Sequence, residues 1–282
     1  MVRSPSRRQP LGRRALQRRR AREGRAVGTP RGRRPRRPHR PPRRSDPRRA
    51  PPGLGEHVAA PPSSGADAMK LRLDRVSHRF APGAPWCLRS VSLTVHPGEV
   101  VGLSGPSGSG KSVLLRVAST LLRPTEGSVT LDGLDPAAAR ASAAIGYVSP
   151  SHRCPDDVTV RAYLTAMAAL HRRGDGDVDG ALELTDLVDR ADAPGGELSL
   201  GERRRLELSR ALLHDPSLLL LDDPSPGLDA AARDDLSDFI VTLASLGKAV
   251  LLASSLPDEL RPLCARVLTL DADHRLVAPE DP

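Results

Sequence analysis

The pattern of the chain changes at residue 69. From Met69 onward apolar side chains alternate with polar ones (Leu71, Leu73, Val76), a Pro/Gly turn follows over 81–85, and Val91-Ser-Leu-Thr-Val alternates again before Pro97-Gly98. A period of two puts every second side chain on one face, so these runs predict antiparallel strands joined by turns. Glu99-Val-Val-Gly-Leu-Ser is instead almost continuously apolar, as a strand covered on both faces must be, and it leads into a helix over 111–122. Residues 125–133 predict another hairpin and Ile145-Gly-Tyr-Val a strand. Helical spacing recurs over 158–171 and 178–188, on either side of a polar turn at 172–177. A helix over 201–213, a strand over 218–221, a helix over 230–245 and strands over 250–253 and 267–270 complete the order. Helices alternating with short apolar strands imply an α/β fold: a core sheet, mainly parallel, flanked by helices on both faces. An antiparallel β addition precedes it and a small helical insert interrupts it.

Residues 1–68 carry no such periodicity. They hold 20 Lys+Arg against four acids (Glu23, Asp46, Glu56, Asp67), a net of +16, so the whole-chain +9 leaves −7 for 69–282. Their Arg/Pro runs offer nothing to bury against the entropy of ordering, and the expectation is a disordered tail. Clustered arginine is drawn to nucleic acid and to anionic lipid alike, yet the tail has no aromatic ring to stack on bases and no amphipathic face. Nucleic acid is therefore not expected as a partner. Nor does an apolar h-region follow the charges, which excludes a secretory signal peptide. Because Met69-Lys-Leu-Arg-Leu opens a strand at once, Met69 is the expected native start, with one globular domain of ordinary size over 69–282. Cys87, Cys154 and Cys264 stand too far apart for a zinc motif or a disulfide framework. No apolar run approaches the ~18 residues of a membrane span.

The strand ending near Ser104 runs into Gly105, Pro106, Ser107, Gly108, Ser109, Gly110, Lys111 and Ser112, a full G-x-x-x-x-G-K-S between strand and helix. Glycines let successive backbone N–H groups approach phosphate oxygens, and the following helix adds its positive end. In that arrangement Lys111 reaches the β- and γ-phosphates of a nucleotide such as ATP, and the Ser112 hydroxyl ligates Mg2+. Leu218-Leu-Leu-Leu-Asp222-Asp223 delivers two carboxylates at a strand's C-terminal end, where α/β sheets place ligands. Asp222 is the expected magnesium anchor, and Asp223 is placed to orient an attacking water. Asp175-Gly-Asp-Val-Asp179-Gly180 nearly spells a calcium loop, but the closing acid, Asp186, is short for bidentate ligation, and a polar turn is the preferred reading.

Five features in order make residues 69–282 resemble the nucleotide-binding domain of ATP-binding cassette (ABC) transporters. They are Phe80, the phosphate loop, Leu198-Ser-Leu-Gly-Glu202 ahead of Arg203-Arg-Arg-Leu-Glu-Leu-Ser-Arg-Ala-Leu, the Asp222-Asp223 strand, and Ser225-Pro-Gly-Leu-Asp229. The resemblance implies that Phe80 stacks on adenine, that Ser199 and Gly201 cap the γ-phosphate held by another subunit, and that Asp229 lies at the subunit interface. It further implies transmembrane permease subunits and a second ATP-binding subunit, identical or different, at the cytoplasmic face of a membrane. Thr159-Val-Arg-Ala-Tyr-Leu and the insert after it look most like the export-type branch. Four positions depart from the pattern: Leu200-Gly201-Glu202 for Gly-Gly-Gln, Asp223 for Glu, Pro150 for a Gln, and Ser255 for a His, with His152 the nearest histidine to the Pro150 position. Binding residues are kept while catalytic positions (Asp223, Ser255) are altered, so the expectation is Mg-ATP binding with weakened hydrolysis. A non-hydrolysing regulatory ATP switch is the alternative class.

Overall fold

The structure, a computed structural model, describes residues 70–135, 144–150 and 154–277. The Arg/Pro-rich segment, Met69 and His152 lie outside the described residues.

Strand β1 (Leu71–His78) pairs antiparallel with β2 (Leu88–Val95) on one side and with β4 (Glu126–Leu131) on the other. The hairpin expected at 125–133 is thereby corrected. Glu126–Leu131 is one strand that returns to β1, with Leu73 opposite Val129, and the chain leaves it through a turn in which Asp132 and Gly133 take positive φ. Val129 and Leu131 find their apolar partners in Leu71 and Leu73, which a two-residue return strand could not supply.

The main sheet has the order β5-β6-β7-β3-β8-β9. Its strands are β3 (Val100–Ser104), β5 (Ile145–Val148), β6 (Leu218–Asp222), β7 (Ala249–Ala253), β8 (Arg266–Leu270) and the short β9 (Leu276–Val277). All pairs are parallel except β8 with β9. Every residue of β3, β6 and β7 is buried, the reason these segments read as unbroken apolar runs. Ala253 stands opposite Leu103 on one side and Asp222 on the other, so β3, β7 and β6 end at one level. Whatever follows those three ends is brought together.

Helices α1 (Lys111–Ala118), α2 (Val160–Leu170), α3 (Asp175–Leu184), α4 (Leu200–Leu212), α5 (Ala230–Ser245) and the single turn α6 (Pro257–Leu260) complete the domain. α1 stops short of the expected Leu122 because Thr120 turns to positive φ. The polar turn expected at 172–177 is in part the first turn of α3: Asp177 accepts the Gly174 amide at 3.1 Å, and acids in a first turn favour the helix dipole. The same helix takes the place of a calcium loop, with Asp179 paired to Arg161 at 2.7 Å. Three apolar cores result: α1 between the two sheets, α4 and α5 under the opposite face of the main sheet, and α2 with α3 against Leu206 and Leu213. α4 thus belongs to both the insert and the sheet layer.

Candidate functional site

The loop after β3 is shaped by its glycines. Gly105 and Gly110 have φ of 148° and 109°, and a Cβ on either would run into backbone, the Leu270 carbonyl at Gly105 and the Cys87 carbonyl at Gly110. Two other segments therefore press directly on the loop: the β1–β2 connection at Cys87, and the β8–β9 turn, whose His274 ring nitrogen meets the Ser109 carbonyl at 2.9 Å. Pro106, Ser107 and Gly108 form the outer rim, and a Cβ at Gly108 would meet nothing within 4 Å. Ser109 is 2% exposed and its hydroxyl is a buried polar atom without a partner among the described residues. Buried hydroxyls are rarely left so.

Lys111 opens α1 and is itself buried, its Nζ donating to the Gly105 carbonyl at 2.6 Å and the Pro106 carbonyl at 3.1 Å. The ammonium is held in the mouth of the loop by neutral carbonyls, which an anion can replace at a gain. One residue on, Ser112 Oγ donates to Asp222 Oδ1 at 3.0 Å, and Tyr147 Oη donates to Asp222 Oδ2 at 3.3 Å. Asp222 is 1% exposed, and burial pushes its carboxyl pKa up. The hydrogen bonds from Ser112 and Tyr147 pull it back, and the Asp223 charge adds to the rise. Burial and the Asp222 charge likewise raise the Tyr147 phenol, keeping it a donor at neutral pH, with Ser149 and Arg116 as further hydrogen-bond partners. Buried hard-oxygen donors beside a cationic loop fit a magnesium nucleotide.

The other two predicted residues meet each other. Asp223 takes a positive φ of 45°, and its carboxylate accepts from the Ser255 amide at 3.0 Å and the Ser255 hydroxyl at 3.4 Å. Its own amide donates to the Ala253 carbonyl. The side chain is turned against the end of β7. Pro150 sits exposed in the turn after β5.

Phe80 is 63% exposed in the β1–β2 connection, edge-on to His78 with ring centroids 5.1 Å apart. The connection returns past Gly110 at Cys87, which places an exposed aromatic ring in the segment that borders the phosphate loop. Ser199 and Gly201 stand apart from the Lys111–Asp222 cluster. They begin α4 and face a cavity of about 420 Å³ shared with Gly227 and Asp229. Ser199 caps α4: its hydroxyl accepts from the Glu202 amide at 3.2 Å, while Glu202 accepts from the Ser199 amide at 2.8 Å and pairs with Arg190 at 3.1 Å. Partial burial opposes the Glu202 charge, but these bonds outweigh it and hold its pKa below the usual range. Leu200, half exposed, leans over Gly227, where a Cβ would stand 2.4 Å from its Cδ2 and the φ of 82° favours glycine. Asp229 caps α5 through the Ala232 amide at 2.8 Å.

Two residues that bear on the site, Tyr147 and His274, were missed from the sequence. The signal for Tyr147 is its register opposite Leu220, two residues before Asp222 on the neighbouring strand, visible only once the strand order is known. On its other side the Tyr147 carbonyl accepts from Arg210 at 2.7 Å, and Arg210 pairs with the buried Glu207 at 3.1 Å. Glu207 hydrogen-bonds Tyr163 of α2, whose phenol is pushed up to about 12 by burial and then by that carboxylate.

The family model described as ABC transporter matches residues 88–226. Nod factor export ATP-binding protein I of Rhizobium johnstonii is 33% identical over 221 residues, 76% of this chain and 70% of that protein. The Rhizobium meliloti protein of the same name is 36% identical over 196 residues, 67% of this chain but only 58% of its own length. A dimeric bacterial ABC transporter cassette, MJ0796, superposes with a TM-score of 0.66 at 24% identity, covering 75% of this chain and 98% of that one. A nucleotide-free ATP-binding cassette from an ABC transporter gives the same TM-score at 22% identity, over 74% and 90%. These likenesses extend to the fold.

Proposed function

The chain belongs to the ABC transporter family, and from that premise we propose that it is the ATP-binding subunit of such a transporter, binding Mg-ATP at a dimer interface to drive membrane subunits. One observation carries the reading: a loop of backbone amides with Lys111 in its mouth adjoins the hydrogen-bonded pair Ser112–Asp222 at the C-terminal edge of the sheet. Loop amides and the start of α1 receive the β- and γ-phosphates, Lys111 exchanging its carbonyl contacts for phosphate oxygens. Ser112, through its hydroxyl oxygen, and Asp222 would hold magnesium, while Phe80 stacks on the adenine. When bound between these residues and the phosphates, the ion would supply charge neutralisation and polarisation of the γ-phosphoryl group.

Asp223 orients the attacking water in this reading, and its geometry argues for slow turnover. Both carboxylate oxygens already accept from Ser255, and the short side chain is drawn toward β7. Since phosphoryl transfer depends on positioning, a withdrawn carboxylate weakens hydrolysis more than binding. Ser199 and Gly201 of each subunit cap the γ-phosphate bound by the other, with Asp229 at the interface. The second cassette is either a copy of this chain or a different one with intact catalytic positions. We place the assembly at the cytoplasmic face of the membrane, against permease subunits. Among the described residues no helix is long and apolar enough to cross it. Export is the proposed direction, supported by the names of the relatives; cargo belongs to the membrane subunits.

The test is ATP titration and phosphate release on the full chain. Expected are magnesium-dependent binding and a turnover below about 1 s⁻¹, raised by Asp223→Glu with Ser255→His. Absent binding sinks the ATP reading, and a wild-type turnover near about 10 s⁻¹, ordinary for enzymes, sinks the slow-hydrolysis reading. The Asp223–Ser255 pair also favours a second reading, a regulatory cassette that binds ATP without turning it over. In that case the double substitution leaves phosphate release at background.

A further inference from the structure

Asp222 is held at two points, and the second has no counterpart in the sequence motifs. Ser112 donates to Oδ1 from the first turn of α1, and Tyr147 donates to Oδ2 from the neighbouring strand β5. A carboxylate fixed by one hydrogen bond can still swivel about it; a donor on each oxygen sets its plane. Tyr147 is suited to this. Its strand lies beside β6, its hydroxyl reaches the polar edge of the sheet, and Pro150, in the turn beyond, has no side-chain donor to contribute. The backbone of Tyr147 is fixed in turn by Arg210, itself paired with Glu207.

We propose that Tyr147 is a positioning residue for magnesium, orienting the Asp222 carboxylate that anchors the ion. The proposal rests on the Mg-ATP reading above and deepens it. In that site Tyr147 acts through Asp222, to which its hydroxyl donates, and not on nucleotide or metal directly. Its contribution is to hold the anchoring carboxylate in one orientation and to offset part of the cost of keeping it ionised in a buried place. Groups that support a metal ligand in this way usually matter when the metal is scarce and little when it is absent, which separates the role from general packing.

The experiment is isothermal titration of ATP into the full chain at a series of magnesium concentrations and again in EDTA. Tyr147→Phe is expected to raise the magnesium concentration needed for half-maximal tightening about tenfold, with ATP affinity in EDTA unchanged. A second variant, Tyr147→4-aminophenylalanine, returns a donor to the same place and is expected to bring the magnesium midpoint back. It also covers the case in which the phenylalanine variant melts too early to assay. An unchanged midpoint in Tyr147→Phe overturns the proposal, as does an equal loss of affinity with and without magnesium, or a donor-bearing variant that fails to recover. Should wild type itself bind no ATP in magnesium, it is the parent reading that falls, and this one with it. Magnesium-dependent binding identical in all three proteins removes Tyr147 alone.

Discussion

Asp222, the proposed magnesium anchor, works against the fold that holds it. Burial and then the Asp223 charge raise its carboxyl pKa, partly offset by Ser112 and Tyr147, so the charged form is disfavoured relative to the unfolded chain. A carboxyl raised in this way favours folding below its unfolded pKa, and that contribution is lost as pH rises through the folded value. At neutral pH the group is therefore a net cost in the nucleotide-free protein. Asp222→Asn is expected to leave that protein as stable or to stabilise it by about 0.5–2 kcal/mol, a gain that shrinks as pH is lowered toward the raised pKa, while abolishing the magnesium-dependent rise in melting temperature with ATP. Thermal melts across pH, with and without Mg-ATP, measure both. Lys111→Ala is expected to remove the ATP response in magnesium and in EDTA alike, since in the proposed site the lysine meets phosphate rather than metal. At this scale the phosphate loop and Asp222 were legible because their chemistry is written in consecutive residues. The Asp223–Ser255 and Tyr147–Asp222 pairs were not, since each joins residues from neighbouring strands whose order no local pattern encodes.

Helix α4 joins the insert, the sheet and the cavity, and its start is fixed by local chemistry. Its N-terminus is closed by the reciprocal Ser199–Glu202 bonds. Ser199→Ala should cost about 1 kcal/mol in urea unfolding, the usual worth of such a cap. Glu202, with a pKa held low once its bonds outweigh partial burial, adds stability that is present at neutral pH and lost as pH falls below its ordinary value of 4.5. Glu202→Gln should flatten that acid limb. Further along, β5 lies so close to α4 that a Cβ at Gly146 would stand 2.5 Å from the Ala211 carbonyl. Gly146→Ala is expected to lose about 1–3 kcal/mol by overpacking and to loosen the Arg210 grip on Tyr147. Most elements were visible in the sequence because fully buried strands such as Leu218–Asp222 and amphipathic helices such as α5 carry strong patterns. β9 and α6 were missed, being two and four residues long, too short to show a period. α3 was entered late because its first turn is acidic and glycine-rich, a composition that favours turns unless a cap such as Asp177 recruits it.

At the scale of the whole sheet, the glycine-rich loop, the Asp222–Asp223 pair and Ser255 are gathered at three strand ends at one level, β3, β6 and β7. Mixing the full chain with Mg-ATP is expected to shift light scattering from one copy toward two when the partner is identical, and to require a second protein when it is not. The spatial order also differs from the order of synthesis. β7 lies between β6 and β3, yet it follows both in the chain and is made only after α5. Until it emerges, β3 and β6 have no strand between them, and their apolar edges present unpaired backbone groups to any neighbouring chain. Distant pairings of this kind form slowly. The proposed nucleotide site is therefore among the last features a nascent polypeptide completes. Chaperone dependence and loss to aggregates should rise with substitutions that delay the docking of β7, such as Leu251→Ala, whatever their effect on the finished fold.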